Sequence, residues 1–221
     1  VLIVALETSG RPASVAARNG GRRLFASLAP DRPHASDLLS TLDGLLGSLG
    51  ARPADIEAVI VGTGPGSYTG LRVGIATALG LSRGSGAVLL AVPSGETVAF
   101  AELQPGSEGV VLVDARQGEL YYAHYRRTLD EVEILRAPCV LPAADVAAIL
   151  PVDVPIFGDA AAADAARLAP DQRARLAPQA NPRADSLLAL GATRLERSGP
   201  HSPDSIEPLY LRPFAARQRR R

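Results

Sequence analysis

At 221 residues, 47% hydrophobic and 21% charged, the chain has the composition of a soluble globular protein, long enough to bury a substantial core as one larger domain or two small lobes. The formal net charge is zero, which excludes a global attraction to nucleic acid or to an anionic membrane and leaves only local contacts of that kind. There is no lysine, and the single cysteine, Cys139, cannot close an internal disulfide, which fits a reducing compartment and a small buried apolar side chain.

Val1 to Leu6, VLIVAL, is a continuous apolar run ending at Glu7, with Thr8, Ser9 and Gly10 as a turn. It reads as a buried strand, too short and too poor in basic flanks for a signal peptide. Strands follow at Ser14 to Arg18 and Arg22 to Leu28, joined by the Asn19-Gly20-Gly21 hairpin signal. Ser36 to Leu49 places Leu38, Leu39, Leu42, Leu45, Leu46 and Leu49 at helical spacing. Ile56 to Val61 is a strand and Leu71 to Arg83 a helix. The second half opens similarly: Val110 to Val113 ends at Asp114, a turn falls at Gln117-Gly118, and strands run through Glu119 to Arg126 and Val132 to Arg136. Helices are expected at Ala143 to Leu150, Ala160 to Leu168 and Ala184 to Arg197, around a short strand at Pro155 to Phe157. Each half runs strand, acid, turn, strand, strand, then helices, which indicates a duplication with lobes 1–105 and 106–221. No apolar run approaches the roughly 20 residues of a membrane helix, so no membrane contact and a cytoplasmic location are expected.

The segment from Val61 to Gly74, VGTGPGSYTGLRVG, joins a strand to a nearly uncharged helix through a glycine-rich turn shaped by Gly62, Gly64, Pro65 and Gly66. Such loops hold phosphate at helix N-termini. The familiar phosphate motifs fail on spacing, however. A Walker loop needs a lysine, the dinucleotide pattern would need glycine at Ser67 or Thr69, and Pro65 occupies the first glycine of a nucleophile elbow. Paired strand-acid-turn hairpins suggest an actin-like, Hsp70-like α/β fold (ribonuclease H-like), with mixed sheets flanked by helices and a cleft holding nucleotide phosphates and metal. Glu7, Thr8, Ser9 and Asp114 would then line a vestigial nucleotide cleft. The plainer alternative is that acids end strands because they are poor strand formers.

Four stretches carry a family resemblance: ALETS at 5–9, GTGPGSYTGLRVGIATALGL at 62–81, DARQGELY at 114–121 and PLYLR at 208–212. Together, and in this order over nearly the whole chain, they resemble the TsaB family. The resemblance implies a two-lobed actin-like fold and a non-catalytic paralogue of the catalytic protein TsaD. It further implies a heterodimer with TsaD that attaches threonylcarbamoyl to N6 of adenosine 37 in tRNAs reading codons that begin with adenine. A homodimer when alone, the accessory ATPase TsaE, and indirect contact with tRNA through the complex follow from the same resemblance. So does the lack of an intrinsic cofactor, with ATP placed at the level of the complex. The paired metal-binding histidines of TsaD have no counterpart here, because His34, His124 and His201 stand alone. The chain departs from the family in carrying Glu7 where many members have Asp and Tyr68 where Phe is common. No catalytic residue and no metal ligand is assigned. An autonomous actin-like ATPase or small-molecule kinase is the alternative function.

In Leu71 to Arg83 only Arg72 and Arg83 are charged, so the helix needs cover on more than one side. Gly70 and Gly74, with Ala78 beyond, form a ridge of small residues for close helix approach, either by the 36–49 helix or by a partner. The resemblance favours a partner, with Leu38, Leu39, Leu42, Leu45, Leu46, Gly70, Leu71, Arg72, Gly74, Ile75 and Ala78 as interface. Gly74→Arg or Leu42→Glu is then expected to abolish pairing and leave the monomer soluble. The terminal Arg217, Arg219, Arg220 and Arg221 either touch phosphate or form a solvated tail, and Arg212 is expected to be structural.

Overall fold

The computed structural model describes residues 1–29, 34–158, 162, 164, 166–178 and 180–211. The arginines at 212, 217 and 219–221 lie outside the described residues, as does part of the helix expected at 160–168.

Ten strands form two sheets. Leu2–Glu7 (β1), Ser14–Asn19 (β2), Arg22–Ser27 (β3), Ala58–Gly62 (β4) and Val88–Val92 (β5) make the first, in the order β3-β2-β1-β4-β5. Glu108–Arg116 (β6), Glu119–Arg127 (β7), Val132–Pro142 (β8), Ile156–Gly158 (β9) and Leu176–Pro178 (β10) make the second, in the order β10-β9-β6-β7-β8. In both sheets the first three strands pair antiparallel and the last two join in parallel, so the duplication extends to the sense of every pairing. The apolar run at the N-terminus is explained by its position. Leu2, Val4 and Leu6 enter one core while Ile3 and Ala5 enter another, as period-two alternation requires in a strand covered on both faces.

Helices His34–Ser48 (α1) and Tyr68–Ser85 (α2) cover the outer face of the first sheet, and Ala143–Ile149 (α4) lies in the outer core of the second. Ser94–Glu102 (α3) and Ala184–Ser198 (α6) stand between the sheets, while Pro170–Ala174 (α5) is a single short turn. Ser67 caps α2, its Oγ accepting from Gly70 N at 3.2 Å, and the helix ends at Gly86 with φ of 78°. This cap starts the helix at Tyr68, earlier than the periodicity indicated. Strand β8 runs through Cys139 to Pro142, well past the Arg136 expected from its pattern.

Two elements adjoining the joint between the sheets, β5 and α3, are not foreseen by the sequence reading, and neither are α5 and β10. Helix α3 buries Ser94, Glu96 and Thr97 together with Val98 and Ala99, so no polar face marks it as a helix. Helix α6 comes from the second half of the chain but packs on β1, β2 and β4 of the first sheet.

Candidate functional site

The turn at the end of β1 lies under the glycine-rich loop. Glu7, Thr8 and Ser9 are all buried, at 1%, 0% and 4% exposure. Glu7 Oε1 accepts from Ser9 N at 2.8 Å, while Oε2, Thr8 Oγ1 and Ser9 Oγ find no hydrogen-bond partner among the described residues. Burial pushes the Glu7 carboxyl above the usual carboxylate range, against the Ser9 N–H bond that favours its charged form.

The glycines explain how this turn is enclosed. A Cβ at Gly62 would overlap the Glu7 carboxylate, and one at Gly70 or Gly74 would overlap Thr8 O or Thr8 Oγ1. These absent side chains let β4 and α2 close directly on the strand end. Ser67 N donates to Ser9 O at 2.8 Å, fixing the loop to the turn, and Gly64 N donates to Ser94 Oγ at 3.0 Å. Ser94, which also donates its own N–H to Gly64 O at 2.7 Å, is a loop-positioning residue that sequence reasoning missed. The Pro93-Ser94-Gly95-Glu96 run after an apolar strand is the helix-start signal that marks it.

Of the four residues expected in a nucleotide cleft, only Ser9 reaches the joint between the sheets. There a cavity of about 40 Å³ is lined by Ser9, Pro65, Val113, Asn181 and Pro182 among others. Pockets that take drug-sized ligands measure about 300 to 1,000 Å³. Asp114 is turned to its own hairpin, accepting from Arg116 N at 2.7 Å and pairing with Arg116 Nη1 at 3.2 Å. Glu7 and Thr8 are covered by the glycine loop. Around the cavity one core is continuous from Ile3, Ala5 and Ile60 through Val98, Leu187 and Leu190 to Val111, Ala123 and Phe157. Among the described residues no group of three His, Cys, Asp or Glu side chains could hold a metal ion.

The residues expected at a partner interface divide into two sets. Leu38, Leu42, Leu46, Gly70, Leu71, Gly74, Ile75 and Ala78 are buried inside this chain, and Leu45 is partly so. The small residues of α2 therefore serve intrachain packing against the β1 turn, and Gly74→Arg or Leu42→Glu would disrupt the fold before any interface. Leu39 and Arg72 are exposed. The outward faces of α1 and α2 carry Leu39, Asp43, Gly44 and Gly47 on one helix and Arg72, Ala76, Gly80 and Arg83 on the other. A Cβ at Gly44, Gly47 or Gly80 would meet nothing within 4 Å. The result is a low, nearly smooth surface across two adjacent helices.

The family model for TsaD, tRNA N6-adenosine threonylcarbamoyltransferase, matches residues 28–209. The tRNA threonylcarbamoyladenosine biosynthesis protein TsaB of Escherichia coli K12 is 36% identical over 128 residues, which is 57% of this chain and 55% of that protein. The chain thus aligns with about half the length of that curated relative. A Pseudomonas aeruginosa crystal structure, described as an uncharacterized protein with similarity to peptidase YeaZ, superposes with a TM-score of 0.84 at 28% identity, covering 96% of this chain and 99% of the other. A second structure, YeaZ from Pseudomonas aeruginosa, gives 0.83 at 28% identity, with 95% and 99% covered. The resemblance to TsaB is present in these relatives, and the two mixed sheets flanked by helices are those of the actin-like, ribonuclease H-like fold.

Proposed function

Because the chain belongs to the TsaD family, whose model spans residues 28–209, we propose that it is a non-catalytic subunit that pairs with a TsaD catalyst in N6-threonylcarbamoylation of adenosine 37 in tRNAs reading codons that begin with adenine. The observation that carries this reading is the contrast between the closed joint and the open helix pair. The cavity that the described residues leave between the sheets measures about 40 Å³, which supports a role other than nucleotide turnover. The exposed faces of α1 and α2 instead offer Leu39, Ala76 and Gly80 for close helix approach, flanked by Asp43 and by Arg72 and Arg83. Charges of opposite sign on the two helices suit pairing with a similar helix pair, from TsaD or from a second copy when TsaD is absent. A standard interface takes about 800 Å² from each partner, within reach of two helices and their flanks. The accessory ATPase TsaE and the tRNA then meet the complex, in the cytoplasm, rather than this chain's own joint, and ATP is a ligand of the complex.

The test is co-expression with TsaD. Leu39→Glu and Ala76→Arg, both on exposed positions, are expected to abolish co-elution while leaving the thermal midpoint of the purified chain unchanged. Threonylcarbamoyl transfer is expected only when both proteins are present. ATP turnover by this chain alone, or wild-type co-elution of both variants, would overturn the reading.

A further inference from the structure

The outward face of α1 and α2 is low along most of its length, and its large side chains gather at one end. Glu7 of β1 and Ser27 of β3 both stand opposite Ser14, and Leu6 stands beside Val61, so β1, β3 and β4 finish at the same end of the first sheet. Helix α1 begins at that end and finishes beside Arg22, whose Nη2 donates to Ser48 O at 3.0 Å. Helix α2 begins there on the β1 turn and finishes where β5 starts. The two helices are therefore parallel, and Leu39 and Tyr68, each in the first half of its helix, share one end of the face. Of the eight large apolar side chains exposed among the described residues, Leu39, Tyr68 and Tyr210 stand at this end. Val1 and Val88 lie at the opposite end of the first sheet, and Leu129, Ile134 and Val152 belong to the second half of the chain.

Tyr68 and Tyr210 stack with ring centroids 5.5 Å apart and planes at 28°, and remain 44% and 51% exposed. Arg72, one helical turn after Tyr68, donates from Nη1 to the Tyr68 hydroxyl at 2.8 Å. No acidic side chain among the described residues pairs with Arg72. Tyr210 is held from behind by the segment that follows α6. His201 N donates to Leu89 O at 2.7 Å, Ile206 is buried in the core beneath α2, and Leu209 N donates to Thr63 O at 2.8 Å. The aromatic pair and its arginine thus have fixed positions before a partner arrives, which lowers the ordering cost of binding.

We propose that Tyr68, Tyr210 and Arg72 anchor the TsaD catalyst, the aromatic pair seating an apolar side chain of that subunit beside Leu39 and Arg72 meeting one of its carboxylates. This rests on the functional reading above and extends its interface from two helices to the segment 201–211. Tyr68, Arg72, Ala76 and Gly80 follow one another at four-residue spacing, so a helix laid on Ala76 and Gly80 meets Tyr68 about 12 Å from Ala76 along α2. The small residues admit a close backbone but offer little side-chain area to hold it. Large side chains at one end supply that area and fix which way the partner lies, and binding energy concentrates on few residues, Tyr and Arg prominent among them. Helix α2 carries Arg72 and Arg83 and no acid, so the complementary carboxylate comes from the other subunit.

The test is the affinity of TsaD for the full chain, measured by biolayer interferometry. Tyr210→Ala and Arg72→Ala are each expected to weaken binding about tenfold or more with the thermal midpoint of the purified chain unchanged, and Tyr210→Phe to keep the wild-type affinity. Raising salt from about 50 to about 500 mM is expected to weaken the wild type more than Arg72→Ala, because screening acts on the charge pair that the variant lacks. Hydroxyl-radical labelling reads the same contact without a substitution, and Tyr68 and Tyr210 are expected to lose labelling when the wild-type complex forms. Wild-type affinity in both Ala variants, or unchanged labelling of the two tyrosines, overturns the proposal. If Ala76→Arg still abolishes co-elution in that case, the functional reading stands without this anchor, whereas no binding by the wild type overturns both. Loss of self-association in Tyr210→Ala with TsaD affinity intact would give this end of the face to a second copy of the chain and overturn the assignment to TsaD.

Discussion

Glu7 sits where the sequence places a strand-ending acid, and its environment makes it an interior group. One carboxyl oxygen is held by Ser9 N–H, the other has no hydrogen-bond partner among the described residues, and Gly62 closes over both. Burial raises its pKa above the ordinary 4.5, so the native state favours the neutral form. The unfolded chain releases this proton at lower pH than the folded one. This contribution is therefore fully present below pH 4.5 and is lost as pH rises through the folded pKa, with no further loss above it. Glu7→Gln cannot ionise and is expected to melt above the wild type at pH 8, by about 2 to 4 °C for each kcal/mol recovered, with the difference vanishing at pH 4. Calorimetry at the two pH values checks this, and an equal difference at both would show that the carboxyl is not buried as protonated. The acid itself was legible from the end of VLIVAL. Its enclosure was not, because the residue that closes over it lies on β4, far along the chain.

Helices α3 and α6 carry the joint between the sheets, and a charged cluster ties them together. Arg194 of α6 reaches Glu96 of α3 with Nη2 to Oε2 at 2.5 Å and Glu131, between β7 and β8, with Nε to Oε2 at 2.9 Å. Burial raises the Glu96 pKa, outweighing the attraction of Arg194. Removing the arginine strands a carboxyl that is 6% exposed. Arg194→Ala is accordingly expected to cost about 3 kcal/mol in urea denaturation, and adding Glu96→Gln to recover most of that loss. Additive losses in the double variant would show that the pair is not coupled. The 3.6-residue spacing of Leu187, Leu188, Leu190 and Ala192 made α6 legible as a helix. Helix α3 was not, since its residues Ser94 to Ala99 are all buried, between the second sheet and α6, and show no amphipathic period, and its polar residues find their partners only in the tertiary structure. The same reason misled the reading of Gly70 and Gly74: a ridge of small residues indicates close approach but not whose backbone approaches.

At the scale of the whole molecule, two similar sheets share one core, and the cavity that the described residues leave beside Ser9, Pro65 and Pro182 measures about 40 Å³. Opening a chamber there would require separating the Arg194 cluster and the apolar contacts around Val98, Leu187 and Phe157. Calorimetric titration of MgATP into the isolated chain is therefore expected to give no saturable heat, and saturable binding with one site per chain would refute a closed joint. The sequence by itself determined the repeated strand, acid, turn, strand, strand opening of each half, because period-two and period-3.6 patterns are local properties of each segment. It also determined the family, since four motifs in fixed order carry that information without coordinates. Only the tertiary structure decided which faces of α1 and α2 remain open, that Glu7 and Thr8 are sealed under the glycine loop, and that Tyr210 stacks on Tyr68. Each of these depends on contacts between segments far apart in the chain, and burial belongs to the packed pair rather than to either residue alone.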